Sequence, residues 1–516
     1  MLRAIPRRSI VPLSRSLLTN CTRSTILSPL TVRSISSNIA PPPASSNLSG
    51  GHHYPKPKNL AEILKGVIQS TGPIPVASYM RQCLTNPDYG YYTTRNPLDL
   101  KTGDFVTSPE ISSTFGEACA LWYFSVFLTQ LKQNAIQDPK KFKVQDKTFR
   151  FIEFGPGKGT LMYDIISTLN RFIKNNNPVE IFMIEKSDVL IREQYELLCN
   201  PAKTKAELVR VDEANFKSVT QWGHPIKWSK DDDFKIGVSE HYMNFVMAHE
   251  FFDALPVNQF RKTEKGWREY LVDLKSNVSK DILLPNVSHT TIPRTNNDKP
   301  EFKLIESPYQ TLSSALPKAI PRYDSLDIGS RIEICPESHK FISQISQIIS
   351  SAPVGAGLII DYGTTTIPIN TLRGIKNHKF VDPLTEPGEV DLSIDVDFSD
   401  LSMLLEDERF ATWIADQGDF LNSMGLGYRT DQLVASCEEH NDEERKQKVI
   451  DAYKRLTGKN VRDMGKVYKV LGFVPDKYKS LQIPGFDNGS QKNESKAAKK
   501  QDEDEVAKPK PRVPYY

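Results

Sequence analysis

Three glycines at alternate positions, Gly155, Gly157 and Gly159, follow an apolar run that ends near the carboxylate of Glu153. Glycines after a strand let the backbone turn sharply and approach a ligand closely, because no Cβ stands in the way. A carboxylate at this strand end suits the cationic amino-acid part of S-adenosylmethionine and would repel a pyrophosphate, for which the usual spacing is G-x-G-x-x-G. Spacing and charge therefore favour a sulfonium methyl donor over a dinucleotide. An ordinary strand-to-helix turn is the alternative interpretation.

A second acid, Glu185, follows the next apolar run, Val179–Ile184. Its β-branched and aromatic residues predict a strand, and residues 161–174, between the two runs, have a helical pattern. A carboxylate at the end of the second strand can accept hydrogen bonds from both ribose hydroxyls, as acids do in dinucleotide sites. Glu185 is therefore predicted to bind the cofactor, and a solvated strand end is the alternative.

Further strands and helices alternate along the chain, which favours a parallel sheet covered on both faces. Three more apolar runs, at 208–211, 244–248 and 357–360, are followed by acids. Ligands in such sheets gather at the carboxyl ends of the strands, so we predict that these acids line one crevice. The residues assigned to cofactor binding are Glu153, Gly155, Gly157, Gly159, Glu185 and Asp212.

Other segments are predicted to add to this sheet. A hairpin is expected at 258–275, where two alternating segments flank a turn. Residues 276–329, rich in Pro, Asn and Ser, are interpreted as an insertion, and residues 401–456 as helical. The predicted fold class is α/β, a Rossmann-like class I S-adenosylmethionine-dependent methyltransferase core at 59–475 with a largely helical inserted lobe.

The N-terminal residues have the composition of a mitochondrial transit peptide. They carry six arginines and many serines, and the first acid of the chain is Glu62. Without those arginines the basic count falls from 66 to 60 against 63 acids, so the net charge changes from +3 to −3. We predict a transit peptide and linker at 1–50 and a location in the mitochondrion, in the matrix. A disordered basic tail is the alternative.

Composition also limits the classes of function. Nothing in the overall charge favours nucleic acid, and the six cysteines form no C-x-x-C pair, so neither a zinc site nor a disulfide framework is expected. The longest apolar run, at 118–128, is far shorter than the roughly 20 residues that span a bilayer, so no transmembrane segment is predicted. Residues 487–516, charged in both signs, are predicted to be a disordered tail.

Ten motifs in order along the chain resemble the MidA family. They lie at 88–92 (DYGYY), 103–117 (GDFVTSPEIS with FGE), 153–160, 250–257 (EFFDALPV), 359–363 (IIDYG), 387–388, 391–392, 395–398, 417–421 and 464–465. The resemblance spans about 60–473 and implies a complex I assembly factor of mitochondria with protein-arginine methyltransferase activity. It implies S-adenosyl-L-methionine as methyl donor and a complex I subunit as protein substrate. Family members commonly carry Asn where this chain has His249, which leaves the role of that position open.

A guanidinium substrate gives a role to the acids of these motifs. Methyl transfer from a sulfonium depends on positioning two substrates and excluding water. An arginine stays protonated in water, and paired carboxylates can hold its fork and orient the attacking nitrogen. The catalytic candidates are Glu250, Asp253 and Glu110, with Glu117 beside Glu110 on the opposite wall. Each could instead be a surface or capping acid, and Glu110 could stabilise a helix N-terminus.

Two classes of function follow from these patterns. The first is a mitochondrial protein-arginine methyltransferase that modifies a complex I subunit during assembly. The second is a non-catalytic assembly factor or scaffold that retains the fold. The intact Glu153, Glu185 and glycine loop favour the enzyme, because a decayed enzyme would have lost its cofactor contacts.

Overall fold

The structure is a computed structural model that describes residues 57–95, 106–137, 146–173, 177–231, 234, 236–237, 239–275, 301–460 and 462–486. Three predicted segments lie outside the described residues. They are the transit peptide and linker at 1–50, residues 276–300 of the insertion, and the tail at 487–516.

The helices, labelled in chain order, are α1 Leu60–Thr71, α2 Val76–Thr85, α3 Tyr91–Thr94, α4 Ser108–Ile111, α5 Ser113–Gln137, α6 Thr160–Leu169, α7 Asp188–Cys199, α8 Pro201–Thr204, α9 Ala315–Ala319, α10 Pro321–Asp324, α11 Pro336–Ser350, α12 Phe398–Asp407, α13 Gln417–Ser423, α14 Leu426–Glu439 and α15 Glu443–Thr457. The strands are β1 Ile74–Pro75, β2 Thr148–Phe154, β3 Val179–Ile184, β4 Val209–Arg210, β5 Asn215–Val219, β6 Pro225–Ser229, β7 Tyr242–His249, β8 Asn258–Thr263, β9 Gly266–Leu274, β10 Phe302–Glu306, β11 Arg331–Ile334, β12 Gly355–Thr364, β13 Arg373–Lys376, β14 Lys379–Val381, β15 Asp391–Ser393, β16 Val396–Asp397, β17 Phe410–Asp416 and β18 Tyr468–Pro475.

The main sheet has the strand order β17-β18-β12-β7-β2-β3-β6-β5-β4. Strands β6, β3, β2, β7 and β12 are parallel, and β18 runs antiparallel between β12 and β17. The parallel core agrees with the predicted fold class, and the predicted strands at 179–184, 244–248 and 357–360 are present in it. The carboxyl ends of β2, β3, β7 and β12 therefore meet at one edge of the sheet.

The central strands β2, β3, β7 and β12 are buried on both faces over most of their length, as their near-continuous apolar runs predict. Along β2, Phe149 and Phe151 pack into the cluster that includes α5 and α6, whereas Ile152 and Phe154 pack into the cluster that includes α11 and α12. Successive residues of a strand point to opposite faces. Glu153 therefore points to the same face as Phe151, towards α5 and α6.

A second, smaller sheet contains the predicted hairpin. Strands β8 and β9 pair antiparallel around the turn at Gly266, and β1, β10 and β11 complete that sheet. The described part of the predicted insertion, residues 301–329, supplies β10 and two short helices. The added structure is thus helical at α13 to α15, whereas the described part of the insertion combines the strand β10 with the short helices α9 and α10. Because apolar residues alternate along the hairpin, its neighbours in the smaller sheet are strands and not helices.

Two strand assignments differ from the sequence prediction. Residues 208–211 do not form a parallel strand, because β4 is a two-residue edge strand that pairs antiparallel with β5. The parallel position beside β3 belongs instead to β6. Residues 401–456 are not wholly helical either, since β17 lies within them and pairs with β18. β17 contains aromatic and β-branched residues and forms one edge of the main sheet. Its position depends on pairing with β18, which is distant in sequence.

Within the part of the chain that the structure describes, none of the helices combines the length and the apolar character that crossing a bilayer requires.

Candidate active site

All three glycines of the loop between β2 and α6 have left-handed backbone conformations. Their φ angles are +60° at Gly155, +53° at Gly157 and +84° at Gly159, and residues with a side chain rarely adopt such angles. A Cβ atom at Gly155 would lie 3.0 Å from Cδ2 of Phe251, and one at Gly159 would lie 3.2 Å from Cγ of Gln194. Conformation and close packing therefore both require glycine in this loop.

Glu153 and Glu185 lie at the carboxyl ends of the neighbouring strands β2 and β3. Glu153 is 1% exposed, and its Oε2 has no hydrogen-bond partner among the described residues. Burial, and secondarily the charge of Glu185, raise the pKa of Glu153 well above its usual value. A buried carboxylate without a partner is unfavourable unless a donor or cation binds it. Glu153 therefore fits a ligand that brings such a group.

Gln194, on α7, joins the glycine loop to Glu185. Its Nε2 donates to the carbonyl oxygen of Gly157 at 2.6 Å and to Oε2 of Glu185 at 3.2 Å, while its Oε1 accepts from the indole N–H of Trp228 at 2.9 Å. Oε1 of Glu185 accepts from the N–H of Ser187 at 2.8 Å. Burial raises the pKa of Glu185 to about 7, and these hydrogen bonds oppose the rise. Sequence reasoning missed Gln194, because an amide on an amphipathic helix carries no local signal.

Glu110 and Glu117 are placed away from the position predicted for them. Oε1 of Glu110 accepts from the hydroxyl of Thr160 at 2.5 Å, and its Oε2 lies 3.6 Å from Nζ of Lys158. Glu117 holds the guanidinium of Arg429 with two hydrogen bonds, of 2.8 and 3.2 Å. Glu110 thus supports the end of the glycine loop, and Glu117 already binds an arginine of the chain itself. No described contact joins either of them to the Glu250 and Asp253 segment.

Asp212 is not brought to the predicted crevice. It is exposed beyond the edge strand β4, and its Oδ1 accepts from the backbone N–H groups of Ala214 and Asn215 at 2.9 and 2.8 Å. The carboxylate therefore closes a turn of the β4–β5 hairpin. The expectation for Asp212 came from a short apolar run that is an edge strand. The parallel strand end beside Glu185 is Ser229.

Glu250 has a strained backbone at the carboxyl end of β7. Its φ is +50°, a left-handed conformation that is unusual for a glutamate, and its N–H donates to the carbonyl oxygen of Ile360 at 3.0 Å. Oε1 accepts from the hydroxyl of Tyr468 at 2.6 Å. Strain of this kind persists where surrounding structure enforces it, and it clusters at functional sites.

Asp361, at the end of β12, enforces that conformation. Its Oδ2 accepts from three successive backbone N–H groups, those of Phe251, Phe252 and Asp253, at 3.1, 2.9 and 3.2 Å. Its Oδ1 accepts from the N–H of Tyr362 at 2.8 Å. The acid predicted to end this strand therefore acts as an anchor that turns the segment after Glu250 back towards the sheet.

Asp253 lies beside the half-buried Arg373. Its Oδ2 accepts from the hydroxyl of Ser393 at 3.0 Å, and the charge of Arg373 acts on it. Arg373 donates to Oδ1 of Asp395 at 2.5 Å and to the hydroxyl of Ser393 at 3.0 Å. Its guanidinium carbon lies 5.6 Å from the ring centre of Tyr362. One cation of the chain therefore already lies next to the predicted substrate acids.

The N-terminal helices add one more side chain to this cluster. The hydroxyl of the half-buried Tyr92 donates to Oδ1 of Asp391 at 2.9 Å. The charges of Asp391 and Asp253 act both on Tyr92 and on Glu250. Together with Asp361, these acids form what we call the carboxylate cluster: Glu250, Asp253, Asp361 and Asp391.

Burial and mutual repulsion dominate the electrostatics of this cluster. Burial raises the pKa of Glu250 to about 8; the hydrogen bond from Tyr468 opposes the rise, and the charges of Asp253 and Asp391 add to it. Burial also raises the pKa of Asp253, against the charge of Arg373. Burial first, and then Asp253 and Glu250, raise the pKa of Asp361 well above its usual value. A cationic substrate would relieve this repulsion.

His249 precedes Glu250 and packs among aromatic rings. Its ring centre lies 5.3 Å from that of Phe115, edge to face, and 6.3 Å from that of Tyr468, nearly parallel. Its Nε2 is 3.7 Å from Oε1 of Glu250 and has no hydrogen-bond partner among the described residues. Burial lowers the pKa of His249 to about 3. The imidazole is therefore neutral at physiological pH.

The glycine loop packs against Phe251, which lies between Glu250 and Asp253 of the carboxylate cluster. Phe251, the residue after Glu250, is the side chain that a Cβ at Gly155 would meet at 3.0 Å. The ring centre of Phe251 also lies 5.5 Å from that of Phe154, the last residue of β2. A ligand on the glycine loop would therefore lie beside the acids that follow β7.

Comparison with known proteins identifies the family. Residues 126–414 match the family described as "Putative S-adenosyl-L-methionine-dependent methyltransferase". The chain belongs to this family. The methyltransferase core, the S-adenosylmethionine dependence and the MidA-type membership predicted from the motifs are thereby confirmed.

The relatives have the same name and match similar lengths of this chain. The chain is 36% identical over 411 residues to the Bos taurus protein named protein arginine methyltransferase NDUFAF7, mitochondrial, covering 79% of this chain and 81% of that one. It is 34% identical over 412 residues to the Homo sapiens protein of the same name, at 79% and 81% coverage. The Drosophila melanogaster homologue is 32% identical over 437 residues, at 84% and 88% coverage. The mitochondrial localisation predicted from the N-terminal composition agrees with these names.

A solved structure supports the fold. The crystal structure of a Burkholderia thailandensis protein bound to S-adenosyl-homocysteine matches with a TM-score of 0.57 at 21% identity, covering 83% of this chain and 92% of that one. A second crystal structure from the same organism matches with a TM-score of 0.59 at 21% identity. Both confirm the Rossmann-like methyltransferase architecture.

The residues at the glycine loop fit the cofactor of this family. The unpartnered Oε2 of Glu153 suits a cationic amino-acid group, and the left-handed glycines leave the backbone open to a close approach. Glu185 lies on the neighbouring strand, where a ribose would be bound. Among the described residues no group of His, Cys, Asp and Glu has the arrangement of a metal site.

Proposed function

We propose that the protein is an S-adenosylmethionine-dependent protein-arginine N-methyltransferase of the mitochondrial matrix, which modifies a subunit of respiratory complex I during assembly. The observation that carries the proposal is the packing of the glycine loop against Phe251, the residue that follows Glu250 of the carboxylate cluster. Gly155 and Phe251 bring a site for a methyl donor next to buried acids that repel one another. A guanidinium is the protein side chain best suited to such acids, because it is planar, always charged and bound by carboxylates in a fork.

On this proposal the two halves of the site have separate tasks. Glu153, Gly155, Gly157, Gly159 and Glu185 bind the cofactor, which when bound supplies an electrophilic methyl group. Glu250 and Asp253 bind and orient the substrate guanidinium, so that one nitrogen faces the glycine loop.

The supporting acids and aromatic residues complete the substrate half. Asp361 holds the backbone of the Glu250–Asp253 segment, and Arg373 limits the charge near Asp253. His249, which is neutral, closes the cluster towards the apolar face at Phe115 without adding a competing cation. Glu110 supports the glycine loop through Thr160, and it contributes to donor binding rather than to substrate binding.

The substrate class is supported by the names of the relatives, which are protein arginine methyltransferases. The complex I subunit rests on the resemblance of the motifs to mitochondrial assembly factors. The test is quantitative mass spectrometry of mitochondrial proteins with and without this gene product. We expect loss of methylarginine from at least one complex I subunit, restored by the wild-type protein and not by Glu250→Gln.

A scaffold role remains the competing function, and ligand binding separates the two. A ligand that binds only the native state must raise its stability. Thermal unfolding with saturating S-adenosylmethionine or S-adenosyl-homocysteine should therefore show a higher Tm. If neither ligand changes the Tm, the scaffold is the better description. If methylation occurs on lysine or histidine instead, the enzyme stands and the guanidinium assignment fails.

A further inference from the structure

Tyr468 is the first residue of β18, the antiparallel strand next to β12, and it lies 218 residues after Glu250 in the chain. It is fully buried, and its hydroxyl donates to Oε1 of Glu250 at 2.6 Å. The ring is held by its neighbours, with its centre 4.0 Å from that of Tyr362 and 6.3 Å from that of His249. A hydrogen bond from so constrained a donor fixes the direction of the carboxylate.

Tyr362, on the neighbouring strand β12, packs against Tyr468. The two residues are partners in the register of β12 and β18, and their ring centres lie 4.0 Å apart. This contact restricts the ring of Tyr468 and so keeps its hydroxyl directed at the carboxylate of Glu250.

We infer that Tyr468, held in place by the ring of Tyr362, is a positioning residue that favours the ionised form of Glu250 and directs its Oε2 atom towards the substrate nitrogen. This inference rests on the proposed function of Glu250. Among the described residues no donor is bonded to Oε2, so this oxygen is available to the substrate. The hydrogen bond at Oε1 also restrains rotation of the carboxylate.

Proton balance explains why the ionised form matters. Methylation of a guanidinium nitrogen forms one N–C bond while the methyl carbon–sulfur bond of the donor breaks, and one N–H proton leaves the substrate. The methylarginine product keeps its single positive charge. Ionised Glu250 accepts the proton on Oε2 and releases it to solvent with the product, whereas protonated Glu250 could not accept it.

Apart from Tyr468, the surroundings of Glu250 disfavour its ionised form. Burial is the largest effect and raises the pKa of Glu250 to about 8, and the hydrogen bond from Tyr468 is the contribution that lowers it. The titratable and charged groups that face Glu250 or its neighbouring acids are His249, Asp253, Asp361, Tyr362, Arg373, Asp391 and Tyr468. Removal of the tyrosine hydroxyl must therefore raise the pKa of Glu250 further.

The first measurement needs no substrate. The infrared band of the protonated carboxyl group of Glu250, assigned by its absence in Glu250→Gln, is titrated in the full-length protein. We expect a midpoint near 8 in the wild type. In Tyr468→Phe it should rise by about one pH unit, since a hydrogen bond to a charged group has about this energy. Tyr478→Phe is the matched control, because Tyr478 is also buried and donates to the carbonyl oxygen of Pro353 at 2.7 Å.

The second measurement is the pH profile of methylation. In Tyr468→Phe the acid limb of kcat should move upwards by the same amount, which lowers kcat about tenfold at pH 7. The affinity for S-adenosyl-homocysteine, measured by titration calorimetry, should stay unchanged. Tyr362→Leu, which removes the ring that packs against Tyr468, should give a smaller shift in the same direction, and it serves as the test if Tyr468→Phe does not fold.

Unchanged midpoints in Tyr468→Phe and Tyr362→Leu, by infrared titration and by pH profile, would overturn the inference. If no arginine methylation is found at all, the proposed function fails. The infrared titration would still decide whether Tyr468 controls the ionisation of Glu250.

Discussion

The two halves of the site are built in opposite ways. The cofactor half lies in one continuous segment, from Glu153 to Gln194, and its turns are made by glycines that accept left-handed angles without a side-chain clash. The substrate half gathers side chains from distant strands around Glu250, which holds a left-handed angle although it has a side chain. Such a conformation costs of order 1 kcal/mol or more, and the three N–H groups bonded to Asp361 offset it.

The glycine loop depends on backbone conformation, whereas the carboxylate cluster depends on the chemistry of its side chains. In the glycine loop the backbone makes the site, so a side chain added there should remove ligand binding outright. In the carboxylate cluster the side chains make the site, so replacement of one acid should change rate or stability while the donor still binds. The following predictions test that separation, from the largest expected effect to the smallest.

The largest effect is expected for Gly155→Val. Valine has to adopt a φ of +60°, and its Cβ would lie 3.0 Å from Phe251. We expect no measurable binding of S-adenosyl-homocysteine by titration calorimetry, and no activity. The control is Gly223→Val, because Gly223 has a φ of +86° with nothing within 4 Å of the added Cβ. Equal loss of binding in both variants would mean that general backbone strain, and not the loop, is responsible.

The next effect is expected for Glu250→Gln. The amide keeps the shape and can still accept from Tyr468, but it neither carries a charge nor accepts a proton. We expect kcat to fall at least about 100-fold, in the range usual for loss of a general base, with the affinity for S-adenosyl-homocysteine unchanged. Glu264→Gln, at the exposed tip of the hairpin, is the control. A normal methylation rate in Glu250→Gln would remove Glu250 from the mechanism.

The same contrast determines what could be predicted from the sequence. The glycine loop, Glu153 and Glu185 were recognisable because they are local: each acid ends an apolar strand next to the turn. The strands of the parallel core were found for the same reason. Tyr468 and Gln194 were not recognisable, since a buried tyrosine and a helical glutamine look like ordinary core and surface positions until strands and helices pair.

The sequence predictions that differ from the structure also have a physical explanation. The run at 208–211 is short and apolar, and such a run is equally compatible with a parallel core strand and with a hairpin edge strand. Only the pairing of β5 with β6 decides between them. The strand β17 was missed because it lies between helices and is stabilised by β18, which is distant in sequence. The structure places Glu110 beside the glycine loop, through a contact with Thr160 that the sequence does not reveal.

Asp361→Asn tests how the strained segment is held. Asparagine can present only one acceptor oxygen, so either the three N–H groups after Glu250 or the N–H of Tyr362 would lose their partner. A buried donor left unsatisfied costs about 1 to 3 kcal/mol. We expect a loss of this size in the free energy of unfolding, measured with urea, together with reduced kcat. Unchanged stability would show that Glu250 keeps its conformation without this anchor.

The pH dependence should have opposite signs for stability and for activity. Burial raises the folded-state pKa of Glu250 to about 8, and those of Glu185 and Asp164 to about 7, whereas unfolded chains titrate near their ordinary values. The native state therefore binds more protons than the unfolded state between about pH 4 and 8, so stability falls as the pH rises through this window. Activity should rise over the upper part of the same window, because Glu250 must be ionised. Tm and kcat measured on one buffer series check both signs, and Glu250→Gln should show a shallower fall in Tm.

The smallest effects distinguish two acids that the sequence placed together. Glu185 is buried beside the glycine loop and bonded to Gln194, so Glu185→Gln should weaken binding of S-adenosyl-homocysteine about tenfold, the size of one hydrogen bond to a charged group. Asp212 is exposed and holds only its own turn, so Asp212→Asn should change the Kd by less than about twofold. Calorimetry on the two variants compares them directly. If Asp212→Asn weakened binding as much as Glu185→Gln, the β4–β5 hairpin would have to reach the cofactor, and the boundary of the cofactor half at Gln194 would be wrong.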